Sequence, residues 1–252
     1  LTRTIFARAA GAVVGMANAE VKQGQASQKT VVVCAKGHTE EANRAIRQRL
    51  IDAGYEVLNA HCWGYGPAAL EQLIRDGFVD GGIIEIASDW LDHIAGGSSY
   101  PPEDRYENAG QIGLPQVFVP GCCDFVAAPP GSCPGGLPNR KVYPYNPGVS
   151  LYRSTKEELL RVGREVGEKL AKSKGPVTVV IPLRGFSRID REGAPLYDPD
   201  ADAGFWEGIS AFKDKIRIIR VDAHIFDEQF IDAVMEAFFE NMRAVEQSSK
   251  SA

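Results

Sequence analysis

The 252-residue sequence lacks any stretch of eighteen apolar residues, which is about the length that a membrane-spanning helix requires. It also lacks a dense basic region, since 28 Lys and Arg are outnumbered by 33 Asp and Glu and the formal net charge is -5. Proteins that bind nucleic acid cluster Lys and Arg on one face. The sequence therefore predicts neither a membrane partner nor a nucleic-acid partner.

Cysteine is scarce, and its spacing argues against a disulfide framework. The five cysteines are odd in number, and none falls in a CxxC pair: Cys34, Cys62, Cys122, Cys123 and Cys133. This usage is typical of a reducing compartment, so we expect a cytoplasmic protein.

The first residues leave a second localisation open. Arg3 and Arg8 precede the first acidic residue, Glu20, which resembles a mitochondrial presequence. The alternative is that residues 1–28 form a linker or a helix leading into the domain.

Apolar, β-branched runs alternate with helical periodicity along the rest of the chain. Six strands are predicted, at residues 30–37, 55–61, 79–88, 114–121, 176–185 and 215–224. This alternation predicts one α/β domain over residues 29–245, with three layers and a mostly parallel six-stranded sheet covered by helices on both faces, as in Rossmann-like or flavodoxin-like folds. The polar residues 246–252 are expected to form a disordered tail.

Residues 127–149 interrupt this alternation with a segment rich in Pro and Gly. It is too long for an ordinary connection, so we expect a lid, a binding loop or an interface arm. Ser154 and Glu157 after it predict a capping box at the start of the next helix.

Polar side chains follow each predicted strand, where ligands bind in open α/β sheets. Three of the four histidines lie directly after strands. The candidates for ligand or cofactor binding are Gly37, His38, Thr39, Gly64, Gly66, Ser88, Gly121, Arg184, Gly185 and Ser187. The candidates for acid–base or nucleophilic catalysis are His61, His224, Asp222, Asp124 and Cys122.

Each of these signals also has a purely structural interpretation. Gly64 and Gly66 suit either a phosphate loop or a tight turn, because the segment matches neither GxGxxG nor GxxxxGK[ST]. Cys122 is either a nucleophile or one of a buried, inert pair. His224 is a general base, a metal ligand or a loop residue, and Arg184 binds an anion or forms an ion pair.

The order of several motifs resembles the carboxyl-terminal half of the tomato mosaic virus resistance protein-like (Tm-one-like) ATP-binding domain family. They are AGAVVGMANA, GYGPAALEQLIRDGFVDGGI, IGLPQVFVPGCCD, YNPGVSLYRSTKEE, PLRGFSRIDREGAPLYDPDAD and VDAHIFD. The resemblance runs from about Ala9 to Met242 and implies ATP as a cofactor and a separate amino-terminal half as a partner. Family members usually have HATGTGG where this chain has residues 61–67, and a histidine where it has Tyr145, which implies a narrower and more aromatic pocket.

Together these patterns predict a small-molecule site at the carboxyl ends of the strands, for an anionic or phosphorylated ligand such as a nucleotide. One alternative is a hydrolase or carbon–carbon lyase that uses His and Asp for acid–base chemistry. Another is an interaction or oligomerisation module, with residues 127–149 as the gripping arm. We expect a homo-oligomer, and a divalent metal is left open.

Overall fold

A six-stranded parallel sheet forms the centre of the protein. The computed structural model describes residues 1–19 and 28–250. Its strands in chain order are β1 (Thr30–Ala35), β2 (Glu56–His61), β3 (Gly82–Glu85), β4 (Gln116–Phe118), β5 (Phe125–Ala128), β6 (Val142–Asn146), β7 (Val149–Arg153), β8 (Val177–Pro182) and β9 (Arg217–Val221). The parallel sheet has the order β2-β1-β3-β4-β8-β9, with Val31 of β1 opposite Val57 of β2 and Gly82 of β3.

Helices cover both faces of this sheet, which confirms the predicted three-layer α/β fold. They are α1 (Thr2–Ala17), α2 (Glu40–Asp52), α3 (Gly66–Arg75), α4 (Trp90–Ala95), α5 (Asn108–Gln111), α6 (Lys156–Leu170), α7 (Pro199–Ile209) and α8 (Glu228–Lys250). Alternate residues of a strand point to opposite faces. Val31 and Val33 accordingly join the core under α2 and α8, whereas Val32 and Cys34 join the core under α3.

Both ends of the chain differ in detail from the expected linker and tail. Helix α1 has no buried residue, and residues 20–27 of the expected linker lie outside the described residues. At the other end α8 continues to Lys250, so most of the tail expected at 246–252 is helical, and residues 251–252 are not described. None of the described helices is both long enough and apolar enough to span a membrane.

Eight of the 23 residues of the Pro- and Gly-rich arm belong to a second, antiparallel sheet of three strands in the order β5-β7-β6. The sequence predicted a lid, a binding loop or an interface arm here and no strands, because Pro and Gly interrupt the segment. Pro144 has no N–H to donate to a neighbouring strand. It is tolerated because β6 is an edge strand of this sheet and has no strand on its outer side that would need this donor.

The capping box of α6 lies one residue further along the chain than predicted. The hydroxyl of Thr155 accepts a hydrogen bond from the N–H of Glu158 (3.2 Å), and the Glu158 carboxylate accepts one from the N–H of Thr155 (2.9 Å). Ser154 instead accepts a hydrogen bond from Arg153. Both pairs fit the same sequence pattern, so only the backbone geometry distinguishes them.

Candidate functional site

A pocket of about 210 Å³ lies at the carboxyl ends of β1 and β2, next to the point where the strand order reverses between β1 and β3. Ligands of open α/β sheets bind at such reversal points. The small antiparallel sheet forms the opposite wall. We call this cavity the switch-point pocket, and it is lined by Lys36, Gly37, His38, His61, Trp63, Phe125, Ala127, Tyr145, Val149 and Leu151.

Lys36 places a positive charge in the wall of the switch-point pocket. Its side chain is 7% exposed, and its Nζ lies 2.8 Å from Oδ2 of Asp92. The other oxygen of Asp92 accepts the N–H of Ala127 (3.0 Å), which ties the small sheet to the pair. Burial alone would lower the pKa of Lys36, but Asp92 outweighs burial and raises it, so the ammonium stays charged.

His38 is a neutral imidazole enclosed by aromatic rings. The ring centroids of Phe125 and Tyr145 lie 5.4 and 5.3 Å from its own. Among the described residues, neither ring nitrogen of His38 has a hydrogen-bond partner. Burial, followed by the positive charges of Arg188 and Lys36, lowers the pKa of His38 to about 4. The two cations act in the same direction as burial, which is the larger cause of the lowered pKa.

His61 is held in one tautomer at the rim of the switch-point pocket. Its Nδ1 lies 3.1 Å from the carbonyl oxygen of Ala35. A carbonyl oxygen can only accept, so Nδ1 of the neutral ring carries the proton and Nε2 is left as an acceptor. His61 can therefore accept a proton or a hydrogen bond through Nε2.

The two glycines after β2 are explained by backbone geometry. Gly64 has a φ of 61°, which favours glycine. A Cβ at Gly66 would lie 1.9 Å from the carbonyl oxygen of His61, and the N–H of Gly66 already donates to Trp63 (3.1 Å). Gly66 thus closes the turn with its own N–H, and that N–H is not available to a phosphate.

A second, open cavity of about 430 Å³ lies at the ends of β8 and β9, and we call it the Arg184 cleft. It is lined by Glu41, Arg184, Arg191, Glu192, Tyr197, His224, Phe226 and Asp227. Arg184 forms a two-bond ion pair with Asp222 (2.8 and 2.9 Å), and both side chains are largely exposed. Arg184 thus forms an ion pair, which was the structural alternative to anion binding.

His224 does not have the free nitrogen that a general base needs. Its Nε2 donates to the carbonyl oxygen of Ser187 (3.0 Å), and its Nδ1 accepts the N–H of Phe226 (3.3 Å). Asp227 accepts the backbone N–H of His224 (2.7 Å), while Asp222 points to solvent. The predicted Asp–His grouping after β9 is therefore not assembled as a catalytic unit.

The remaining candidates are buried and line neither cavity. Thr39, Ser88, Asp124 and Ser187 have no exposed surface. A Cβ on either of the two candidate glycines there would collide with a backbone oxygen, at 2.0 Å from Ile86 for Gly121 and at 1.6 Å from Asp190 for Gly185. A ligand-binding or catalytic role for these residues stays a prediction.

Cys122 is also buried, and burial raises the pKa of its thiol well above the ordinary value. Its positive φ of 57° marks a tight turn, but a protonated, inaccessible thiol is not a nucleophile. Of the five cysteines, Cys133 alone is exposed.

We therefore expect a thiol-reactive dye to label about one cysteine per folded chain within minutes and all five in urea. Cys133→Ser should abolish the fast reaction and leave the other four unreactive until the chain unfolds. Rapid labelling of the Cys133→Ser variant would contradict the buried placement of Cys122.

One group of metal-ligand side chains occurs among the described residues, and an arginine already fills it. The ligand atoms of Cys34, Cys62 and Glu85 lie within 4.8 Å of one another. The guanidinium of Arg105 contacts Glu85 at 2.6 and 2.7 Å and lies 3.7 and 3.9 Å from the two sulfurs. Arg105 thus occupies the position that a cation would take.

The aliphatic and aromatic lining from the small sheet was missed by sequence reasoning. Phe125, Val149 and Leu151 belong to strands that the sequence did not predict, so nothing marked them as neighbours of β1. The sequence did indicate Tyr145 and Trp63, because each is a bulky residue at a position where family members usually have a different residue.

Comparison with known proteins identifies the chain's relatives. Residues 28–242 match the Uncharacterised protein family (UPF0261) C-terminal domain. A UPF0261 protein of Clostridium tetani is 32% identical over 245 residues, covering 96% of this chain and 61% of that protein. The ToMV resistance protein Tm-1(GCR237) of Solanum lycopersicum is 29% identical over 236 residues, covering 92% of this chain and 31% of that protein.

Among solved structures, a putative LacI transcriptional regulator from Bacteroides fragilis has 13% identity and a TM-score of 0.29, over 85% of this chain and 66% of that one. At this TM-score the likeness supports no functional conclusion. The chain spans less than two thirds of the length of the curated relatives named above, so pairing with a separate amino-terminal half stays a prediction.

Proposed function

We propose that this chain, which belongs to the UPF0261 family because its residues 28–242 match the family's C-terminal domain, binds a small anionic or phosphorylated molecule in the switch-point pocket. The observation that carries the proposal is one cavity, at the strand-order reversal, that combines a buried charged lysine with an aromatic wall. Lys36 would attract the anionic group, and Trp63 and Tyr145 would contact a flat ring.

The charge around the pocket supports an anion. Lys36 and Arg188 are the groups whose charges act on His38, and both are cations. Each has a carboxylate counterion, Asp92 for Lys36 and Glu41 for Arg188 (2.9 Å). Each cation is thus already balanced by a carboxylate, which suits a ligand with one or two negative charges better than a highly charged one.

The size of the pocket limits how much of a ligand it encloses. Its volume of about 210 Å³ is below the roughly 300–1,000 Å³ typical of sites for drug-sized molecules. A single ring with a small anionic substituent would fit, and a nucleotide would insert one end.

ATP, which the family resemblance implies, fits these residues poorly as a whole molecule. A triphosphate needs several unpaired cations or N–H groups, whereas Lys36, the cation of the pocket wall, is already paired with Asp92. We therefore propose a ligand with less charge than a triphosphate.

An acid–base enzyme is the second candidate, because the Nε2 of His61 is free to accept a proton at the pocket rim. Turnover of keto-acids and esters, lost in His61→Asn while ligand binding persists, would support it. Binding without turnover of any panel member would favour the first candidate.

Filling the switch-point pocket should abolish binding. We use benzenesulfonate as the probe, because it joins a flat ring to a permanent anion. Val149→Trp, which places an indole in the cavity, is expected to weaken its binding at least tenfold in ligand-observed NMR.

Val142→Trp is the matched control, since Val142 lies on the neighbouring strand, is 46% exposed and does not line the pocket. Equal binding by wild type and Val142→Trp is expected. If Val149→Trp binds the probe as well as wild type does, or wild type does not bind it, the proposed function fails.

A further inference from the structure

We propose that the ligand binds together with one proton, which His38 takes up, so that the pocket selects a small ring-bearing anion over its neutral counterpart. This inference rests on the proposed function and adds the charge class of the ligand and the pH dependence of binding. His38 becomes a specificity-determining residue.

The first support is the hydrogen bonding of His38. Its ring lines the pocket, yet both nitrogens are covered by protein and have no partner in the part of the chain that the structure describes. Buried polar atoms nearly always have a partner, and leaving one unsatisfied is costly. For a ligand oxygen to supply the missing bond, the ring would have to turn about its side-chain torsions until one nitrogen faces the cavity.

The second support is the set of groups that face His38. Lys36 comes from the end of β1, Arg188 from the loop after β8, and Tyr143 and Tyr145 from β6. Asp92 pairs with Lys36, and Glu41 with Arg188, so no unpaired carboxylate is among the groups that act on the imidazole. Without a ligand, none of the described groups that act on His38 favours imidazolium.

An anion in the pocket would reverse that balance. Its charge favours the protonated ring and forms a charge-assisted hydrogen bond with it, so the pKa of His38 rises from about 4 when the ligand binds. Between the pKa of the free protein and that of the complex, the complex holds one more proton. Affinity therefore falls by up to tenfold per pH unit as pH rises through this window, and it is constant below pH 4.

The test measures the proton directly. Benzenesulfonate stays ionised throughout, and benzenesulfonamide is its neutral counterpart of nearly equal shape. Calorimetric titrations of the wild-type chain at pH 5, 6 and 7, in two buffers of different ionisation enthalpy, give the number of protons taken up. We expect nearly one proton with the sulfonate at pH 5, tighter binding at pH 5 than at pH 7, and at least tenfold weaker binding of the sulfonamide at pH 5.

Two variants assign the proton to a residue. His38→Gln keeps a neutral hydrogen-bonding side chain and should bind the sulfonate at all three pH values without proton uptake. His61→Gln removes the other imidazole of the pocket, and the sulfonate that this variant binds, at whatever affinity, should still be accompanied by one proton.

The outcomes separate this inference from the proposed function. Sulfonate binding to wild type without proton uptake, uptake that persists in His38→Gln, or equal affinity for the sulfonamide would each overturn the role of His38 and leave the pocket as a binding site. Absence of sulfonate binding to wild type would overturn both.

Discussion

Replacement of Arg105 by methionine is expected to lower the free energy of unfolding by about 3–5 kcal/mol, because it leaves buried carboxylates without their cation. Arg105 has no exposed surface. Its guanidinium bonds both oxygens of Glu85, bonds Glu71 at 3.1 Å and lies 3.4 Å from Asp89. A loss of this size is a large fraction of the stability of a typical domain.

Arg184→Met is the matched control, since Arg184 also forms a two-bond pair with a carboxylate but on the surface. Exposed pairs are worth about 0–1 kcal/mol. Urea unfolding followed by circular dichroism compares the two variants. If Arg105→Met and Arg184→Met have the same urea midpoint of unfolding, the ion pairs of Arg105 with its buried carboxylates do not contribute substantially to stability.

The second large effect concerns Asp124 and the pH dependence of stability. This carboxyl group is buried, and its Oδ2 accepts a hydrogen bond from Ser187 (2.7 Å), while its Oδ1 has no partner within residues 1–19 and 28–250. Burial and then the neighbouring charge of Asp190 raise the pKa of Asp124 to about 7. The native state thus holds a proton that the unfolded chain, with an ordinary aspartate pKa near 4, has already lost.

Proton linkage predicts that the contribution of Asp124 to the free energy of unfolding falls as pH rises. Between about pH 4 and pH 7 the native state binds more protons than the unfolded state, so Asp124 contributes stability that is lost as pH rises through 7. The slope is at most about 1.4 kcal/mol per pH unit for one proton. Asp124→Asn has no proton to lose, and its stability should therefore fall less steeply with pH over this range.

Urea unfolding at pH 5, 6, 7 and 8 measures this slope. Other buried acids, such as Glu85 and Asp202, also have raised pKa values, so the difference between wild type and Asp124→Asn is the informative quantity. Asp214→Asn, at an exposed aspartate, should reproduce the wild-type slope. Identical slopes for wild type and Asp124→Asn would show that Asp124 is ionised throughout.

The sequence was sufficient for the parallel sheet because each of its strands is a short, continuous apolar run between helical segments. The run at Val31–Ala35 is buried on both faces, which is the pattern that such runs indicate. The small sheet was not predictable in the same way. Its edge strand β6 contains Pro144, and its middle strand β7 pairs with β5, which follows β4 after a short turn.

The candidate site was only partly predictable, because the sequence gives strand ends but not strand order. Neighbouring strands lie about 4.8 Å apart, so β1 and β8, three places apart, are separated by roughly 14 Å. His38 and His61 therefore meet in one pocket, whereas Arg184 and His224 lie at another. Asp124 and Ser187 are buried under loops, and no local sequence pattern predicts this burial.

The most direct test of the ligand site is a crystal structure of the chain soaked with benzenesulfonate. We predict electron density for the ring between Trp63 and Tyr145, with the sulfonate towards Lys36. Density confined to the Arg184 cleft, or none in the switch-point pocket at saturating probe, would contradict the proposal.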